Sequence, residues 1–515
     1  MNRHQLIFPH GTWLQCRESL FLPDGSEGFQ MALARPCQRE GGLAFVVEQL
    51  VDAEAIGYSQ RSRGGLTLSW EASNRMNLLS LRSAAAGLVP VHLHSHPPGV
   101  TNFSGYDDEH ESRLHDWLAN RGQPLLWSLV WPYHGKPVAR LWAHGNPTAG
   151  TVRAGLRPFG CNGDSAPLEA LARQRAFGTG LRQAAATLRV GIVGVGGIGF
   201  PVAEQLARCG FTQFVLVDDD RVEKTNLNRL PGTRPRDLGR AKVHVARRLI
   251  EQAGRCIGTQ PSVRACVQNV YTAGGRLKNL LRQCDVILAL TDDEVSRITC
   301  LQLALEGGAE YLQAGVDVRL ADDGRITGLF AEVTGAEVNR YCPLCTGRLD
   351  PGQASVDARR YAGADVWERA KQEGYVPQVS APSVMSLNAL AAGALVLEIQ
   401  RRVSGLGVRD YWRLDLQNGE LLTHENIEQQ LDGVCEVCGR GEHTANAKPA
   451  PVPDAHAPVL AEPAPSNPAT PIEPSPGQGA RNGHDSGVVA GDGELVETSQ
   501  SSTPPLPLPS IPTGS

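Results

Sequence analysis

The segment "LRVGIVGVGGIGF" limits the fold more than any other stretch of this 515-residue chain. A short run of β-branched residues enters a turn in which Gly194, Gly196 and Gly199 stand as G-x-G-x-x-G, and a helix-forming sequence follows. Glycine permits so tight a turn and lets a phosphate approach the helix N-terminus closely. A strand feeding a helix in this way opens a doubly wound, mostly parallel sheet. The residues beyond have matching texture: "FTQFVLVDDD" reads as a strand, "LGRAKVHVARRLIEQ" as a helix and "CDVILALT" as another strand.

The turn alone does not choose between nucleotides. Asp218 lies about twenty residues on, at a strand end where an NAD-binding acid would also sit. The following residues separate the alternatives. "VDDDRVEKTNLNR" runs from Asp218 through Asp220 to Asn226 and Arg229, and "DLGRAK" presents Lys242. An NAD site needs no second acid, arginine and lysine beyond its ribose-binding carboxylate. A site that neutralises the triphosphate of ATP, places Mg²⁺ and stabilises charge at the α-phosphorus does need them. In "TDD", Asp292 ends a further core strand, where this fold binds its ligands, and is the expected Mg²⁺ ligand.

Three textures divide the chain. Residues 1–150 carry short β-like runs ("LAFVVEQLV", "VPVHLHSH", "LLWSLVWPY") around a helix near "ASNRMNLLSLRSAAAG", a compact mixed α/β domain. The Gly/Pro/Asn-containing "HGNPTAGTVRAGLRPFGCNGD" reads as a join, and residues 165–440 form the Rossmann-like α/β domain. Residues 441–515 lack Phe, Tyr, Trp and Cys and are dominated by Pro, Ala, Ser and Gly, so they cannot bury enough apolar surface to offset their ordering entropy. A disordered tail is expected, with "TPPLPLPSIP" sampling polyproline II.

A second centre is legible in "HLHSHPPGVTNFSGYDDEH", residues 92–110. His94 and His96 alternate, so their rings share one face of an extended strand that Pro97 ends. Asp107 returns by the following loop. Two imidazoles and a carboxylate leave a fourth position for water, the donor set of a catalytic Zn²⁺ rather than of a closed structural one. His92 and His110 are expected outside that set. A proton acceptor is still required, and Glu27 in "GSEGFQMALA" and Glu48 in "AFVVEQLV" compete for the role.

The pattern E, HSHP, six residues, S, two residues, D resembles the JAMM (MPN+) metalloprotease family over about the first 150 residues. The resemblance implies His94, His96 and Asp107 as zinc ligands, Glu27 as base and Ser104 as oxyanion donor. It also implies cleavage after the C-terminal glycine of a ubiquitin-like protein. Residues from about 170 to 440 resemble the ThiF/MoeB superfamily, which includes the activating enzymes of ubiquitin-like proteins. There the resemblance implies adenylation of a C-terminal glycine with release of pyrophosphate. Asp218 would take the ribose, and Arg229, Lys242 and Asp292 with Mg²⁺ the phosphates. The pattern "RQRAFGTGL" adds Arg173, or failing it Arg175, as an arginine reaching the phosphates, often of a partner subunit. A homodimer is therefore expected. "CPLC" and "CEVC" supply Cys342, Cys345, Cys435 and Cys438, four thiolates suited to structural zinc, and the same superfamily carries such a knot. A redox role is the alternative.

The resemblance to ubiquitin-activating enzymes breaks at one place. Their acceptor cysteine should fall between residues 346 and 380, and that segment has none. Either the enzyme stops at the acyl-adenylate or a partner's cysteine, such as that of a ubiquitin-conjugating-type enzyme, takes the acyl group; Cys300 is a further option. The expected protein is thus bifunctional, a peptidase fused to an adenylating enzyme of a bacterial ubiquitin-like pathway, with antiviral defence as a role by analogy. Processing of a sulfur-carrier protein for thiocarboxylate formation is the alternative. A formal net charge of -5 without a dense basic block argues against nucleic acid or membrane surfaces as partners. No stretch is apolar enough for a signal or a span, "VMSLNALAAGALVLEI" reading as a buried helix. Twelve sparse cysteines fit a reducing cytoplasm.

Overall fold

A computed structural model describes residues 4–40, 42–52, 55–159, 168–372 and 384–424, with Cys435, Val437 and Cys438. The Pro-rich segment 441–515 lies outside the described residues. The amino-terminal half contains β1 (Gln5–Phe8), α1 (His10–Leu20), β2 (Phe29–Arg39), β3 (Gly42–Leu50), a separate hairpin of β4 (Tyr58–Ser62) and β5 (Gly65–Leu68), and α2 (Trp70–Ala85). It continues with β6 (Val89–His96), α3 (Gly105–Ala119), β7 (Leu125–Pro132), β8 (Val138–Ala143), β9 (Asn146–Ala154) and β10 (Arg157–Phe159). The sheet order is β1-β3-β2-β6-β7-β8-β9-β10, and β1 pairs again with β9, so the sheet closes on itself. Closure creates one interior, filled by Leu6, Phe8, Phe45, Leu93, Trp127 and Leu129.

This closure corrects the expected boundary at 150. Thr151–Ala154 pair with Gln5–Phe8, and β10 folds back onto β9, so the first sheet runs to Phe159. Among the described residues of the supposed join, Gly145 and Gly155 sit in turns, while Pro147 and Gly150 lie in β9 and Pro158 in β10. The alternating "TVRA" between them supplies the pairing, and without it β1 would have an open edge.

The second half holds α4 (Gly178–Thr187), β11 (Arg189–Val193), α5 (Gly199–Arg208), β12 (Gln213–Val217), α6 (Lys242–Cys256), β13 (Ser262–Cys266), α7 (Gly275–Arg282), β14 (Val286–Ala289) and α8 (Glu294–Gly307). After these come β15 (Glu310–Leu320), β16 (Ile326–Ala336), α9 (Pro351–Ala358), α10 (Ala364–Gln372), α11 (Met385–Ser404), β17 (Tyr411–Asp415) and β18 (Glu420–His424). The strand order β13-β12-β11-β14-β15-β16-β17-β18 begins with five parallel strands in the doubly wound sequence. β16 runs antiparallel to β15, because residues 321–325 form only a tight turn and leave no room for a crossover helix, and β17 and β18 continue the antiparallel ladder. The apolar run near residue 390 is α11, which buries Leu387, Ala391, Leu395 and Ile399. No helix of the described residues is long and apolar enough to cross a membrane.

Both sheets belong to one compact unit. They meet through helix ends, where backbone groups lack partners within the helix. At the C-terminal end of α8, Arg35 donates to the Leu305 and Glu306 carbonyls at 3.3 and 3.0 Å. Arg39 donates to Gly307 at 2.9 Å and to Cys284 at 2.8 Å, and Arg153 to Gly308 at 3.4 Å. The reverse arrangement completes α1. Its N-cap is Pro9, which has no side-chain donor or acceptor, and Glu337 of the second domain accepts from the His10 and Gly11 amides at 2.7 and 3.3 Å. Cations at a C-terminus and an anion at an N-terminus both complement the helix dipole. Arg39→Ala should therefore lower the stability of the whole chain by about 1.5–3 kcal/mol, the range for a hydrogen bond from a charged group. Urea unfolding measures this, and Arg39→Lys should recover only part, since an ammonium lacks the fork that spans two carbonyls.

Candidate functional site

The first site is built where β6 ends. His94 and His96 project from one face of that strand, and their Nε2 atoms lie 3.0 Å apart. Asp107 closes the triangle, with Oδ1 3.1 Å from His94 Nε2 and Oδ2 3.4 Å from His96 Nε2. A tetrahedral Zn²⁺ with bonds of about 2.0–2.2 Å separates its ligand atoms by roughly 3.3–3.5 Å, so the three donors fit one ion. Two neutral imidazole lone pairs facing each other repel unless an ion or proton lies between them, which adds to the fit.

Asp107 is presented by a helix cap. Ser104 is the N-cap of α3, and its Oγ accepts from the Asp107 amide at 3.2 Å. Asp107 Oδ2 in turn accepts from the Ser104 amide at 2.6 Å and hydroxyl at 2.7 Å. The S-x-x-D spacing is thus a capping box that fixes the carboxylate before any ion arrives. Burial works to raise the Asp107 carboxyl, but hydrogen bonds from His94, His96 and Ser104 outweigh it and hold it far below the usual range. The Ser104 hydroxyl proton is directed at Asp107 here, so an oxyanion role requires it to turn away.

Glu27 reaches the same cluster from the other side. It is buried, just ahead of β2, and bridges Phe21. The next residue, Gly28, donates its amide to Ser95 Oγ at 2.8 Å and accepts from the Ser95 amide at 3.0 Å, so the segment is tied between the two histidines. A Cβ on Gly28 would lie 2.6 Å from the Ser19 carbonyl, which explains the glycine. Burial raises the Glu27 carboxyl above its ordinary value, His96 and His94 oppose the rise, and Asp107 adds to it. Glu48, the competing base, pairs with Arg35 in a cleft that Glu306 and Asn339 also line, on the side of the second domain. His92 packs against Phe29, and His110 stacks on Tyr106.

The second site lies along the C-terminal edge of the parallel strands. Gly194 has φ +88°, and a Cβ there would meet the Leu290 carbonyl at 2.5 Å, so the turn presses against the end of β14. Asp292, two residues beyond Leu290 and exposed, follows directly at the same strand end. Asp218 Oδ2 accepts from the Val195 amide at 2.6 Å, fixing the carboxylate to the turn. Burial raises Asp218, while Lys242 lowers it. Lys242 itself pairs with Asp220 at 2.6 Å. Gly196 faces open space, whereas a Cβ on Gly197 would lie 2.3 Å from Asn388 Nδ2 and 3.7 Å from Arg229 Cδ. Arg229 donates to the Thr225 carbonyl, and Asn226 is buried, accepting from the Glu223 amide.

Two expected residues are not brought to this edge of their own chain. Arg173 and Arg175 are exposed on a 3-10 segment, Glu169–Phe177, whose Gln174 bonds the Arg208 carbonyl at the far end of α5. Asn388 is the reverse case, present at the turn although no sequence motif singles it out. Its only signal is a lone amide in an otherwise apolar run.

The four cysteines also converge. Sγ separations are 3.6 Å for Cys342 and Cys345, 3.8 Å for Cys342 and Cys435, and 3.3 Å for Cys345 and Cys438. Zinc–sulfur bonds of about 2.3 Å imply roughly 3.8 Å between sulfurs, so this cluster fits a closed structural ion.

Comparison with known proteins addresses the second half. The model of the ThiF family matches residues 170–436, just over half of the chain. The chain belongs to the ThiF family. Among curated relatives of this ThiF protein, "Ubiquitin-like modifier-activating enzyme 5" of Caenorhabditis briggsae is 32% identical over 138 residues, 25% of this chain and 30% of the relative. The protein of the same description from Gallus gallus is 27% identical over 236 residues, 44% of this chain and 53% of the relative. The chain thus spans about a third to a half of the length of these relatives. Among solved structures, E. coli MccB with ATP is 17% identical at a TM-score of 0.39, over 53% of this chain and 74% of that one.

Two measurements follow from these geometries. Elemental analysis of the purified chain should find two zinc ions, falling to one in His96→Ala with the cysteine-bound ion retained. Gly194→Ala should weaken ATP binding at least about tenfold by calorimetry, because the left-handed conformation alone costs an alanine roughly 1–2 kcal/mol.

Proposed function

We propose that the ThiF domain adenylates the C-terminal glycine of a ubiquitin-like or sulfur-carrier protein with ATP and Mg²⁺, and that the amino-terminal domain is a zinc peptidase cutting after such a glycine. The observation that carries the first half is the edge of the ThiF-family sheet, where Gly194, Asp218, Lys242 and Asp292 gather. A carboxylate oxygen of the glycine attacks the α-phosphorus, and the bond from that phosphorus to the bridging oxygen breaks, releasing pyrophosphate. Asp218 would accept from ribose hydroxyls, and Arg229 and Lys242 would offset phosphate charge. Asp292 is the residue that would hold Mg²⁺. Arg173, exposed and distant from its own turn, would serve the pocket of a second copy in a homodimer.

The second half rests on the fit of His94, His96 and Asp107 to zinc, with Glu27 beside them. A zinc ion there would polarise a scissile carbonyl and acidify a bound water. Glu27, raised by its burial, would take that water's proton and pass it to the leaving amine. One substrate class would then suit both halves.

The fate of the adenylate favours a second reading. Cys300 is fully buried within α8, and burial pushes its thiol far up, which removes it as an acyl acceptor. With no cysteine in residues 346–380, the acyl group would pass to a partner's thiol or, in the sulfur-carrier reading, to sulfide. Incubation with ATP, a glycine-ending carrier and sulfide separates these: a carrier whose mass shows one terminal oxygen exchanged for sulfur, the oxygen leaving with AMP, selects the sulfur-carrier reading. Lys242→Ala should slow carrier-dependent pyrophosphate exchange by about 10²-fold or more while cleavage of a carrier precursor continues. Glu27→Gln should do the reverse. If either single change abolished both reactions, two independent centres would be the wrong description.

A further inference from the structure

Beneath the metal loop lies a buried charged cluster that neither reaction uses. Arg140 on β8 is 9% exposed. Its Nε donates to Glu111 Oε2 at 2.8 Å, Nη2 lies 2.7 Å from the same oxygen, and Nη1 donates to Asp108 Oδ1 at 2.5 Å. The guanidinium carbon sits 3.7 Å above the Phe103 ring and 5.2 Å from that of Trp142, whose Nε1 also donates to Glu111 Oε2 at 2.7 Å. Phe103 immediately precedes Ser104, and Asp108 immediately follows Asp107. One side chain therefore grips both flanks of the capping box that presents the carboxylate ligand.

We propose that Arg140 is a positioning residue for the metal centre, holding the segment from Phe103 to Asp108 so that Asp107 meets His94 and His96 at ligand spacing. The chemistry of the cluster suits that task better than it suits stability alone. Removing a guanidinium and a carboxylate from water costs free energy, and an apolar pair of similar volume often stabilises a fold as well or better. A planar fork with a ring on its face instead fixes direction: two in-plane bonds set the turn of α3, and the stacked ring sets the loop before it. Glu111, buried and bonded by both Arg140 and Trp142, anchors the fork to the barrel. The inference rests on the reading of His94, His96 and Asp107 as ligands and extends it to a residue that touches none of them.

The test uses the full chain and cobalt(II) as the probe. Cobalt in the four-cysteine site shows thiolate charge-transfer absorption that a His/His/Asp site lacks, so the two isotherms separate in one titration. Arg140→Lys, which keeps the charge and loses the fork, should weaken cobalt binding at the histidine site by about 10- to 100-fold, the usual effect of losing an outer partner of a ligand. The cysteine-site signal and ATP binding should not change. Asp108→Ala breaks only the solvent-facing arm and should shift the isotherm the same way by less. Leu141→Ala, which opens a cavity on the other face of the same strand, is the control for general loosening. Unchanged cobalt affinity in Arg140→Lys and Asp108→Ala overturns the proposal, as does an equal loss in Leu141→Ala at matched melting temperature. Absence of a histidine-site isotherm in the unsubstituted chain would instead remove the metal reading itself.

Discussion

The fold depends on helix ends that are completed across the domain boundary. The last carbonyls of α8 are met by Arg35, Arg39 and Arg153 of the first domain, and the first amides of α1 by Glu337 of the second. Helix α1 has no side-chain cap of its own, and at α8, where left-handed Gly308 and the residue after it return their amides to Leu305 and Ala304, the arginines add partners for the last carbonyls, so separating the halves would leave backbone groups unpaired on both sides. The exchange also links architecture to chemistry. The other end of α8 begins at Asp293, its N-cap, next to Asp292 on the nucleotide edge. The other end of α1 packs against Gly28, next to Glu27.

At the front of the molecule, one local motif serves two purposes. A capping box satisfies the first amides of α3 and at the same time orients Asp107 with both carboxylate oxygens spoken for. Helix formation and ligand placement thus reinforce each other, and Arg140 lies where the same few residues meet the barrel wall. Preorganisation of this kind lowers the ordering cost when an ion binds.

Much of this is legible in the amino-acid sequence, because the signals are local. The alternation of His94 and His96, the proline after them and the S-x-x-D spacing each act within a few residues. The Gly194 turn and the strand ending at Asp218 are equally short-range. Features that depend on distant pairing are not legible there. Strand β9 is masked by its glycine and proline, since its partner β1 stands some 145 residues earlier, and β10 finds its place only by folding back onto β9. Arg35, Arg39 and Arg153 look like ordinary surface charges until α8 arrives beside them. Asn388 is invisible as a site residue until α11 packs on the glycine turn. That Glu48 pairs with Arg35 in a cleft on the side of the neighbouring domain is likewise visible only in the fold.

The position of the seam has a further consequence. In the second domain it lies at the starting edge of the parallel strands, around Asp285 and Glu310, while the glycine turn is at their finish. In the first domain it lies at the start of α1, and the histidine cluster at that helix's close. Each cluster therefore stands at the far end of its own elements from the shared wall. On the function proposed above, a carrier tail released at one centre would have to leave it before docking at the other.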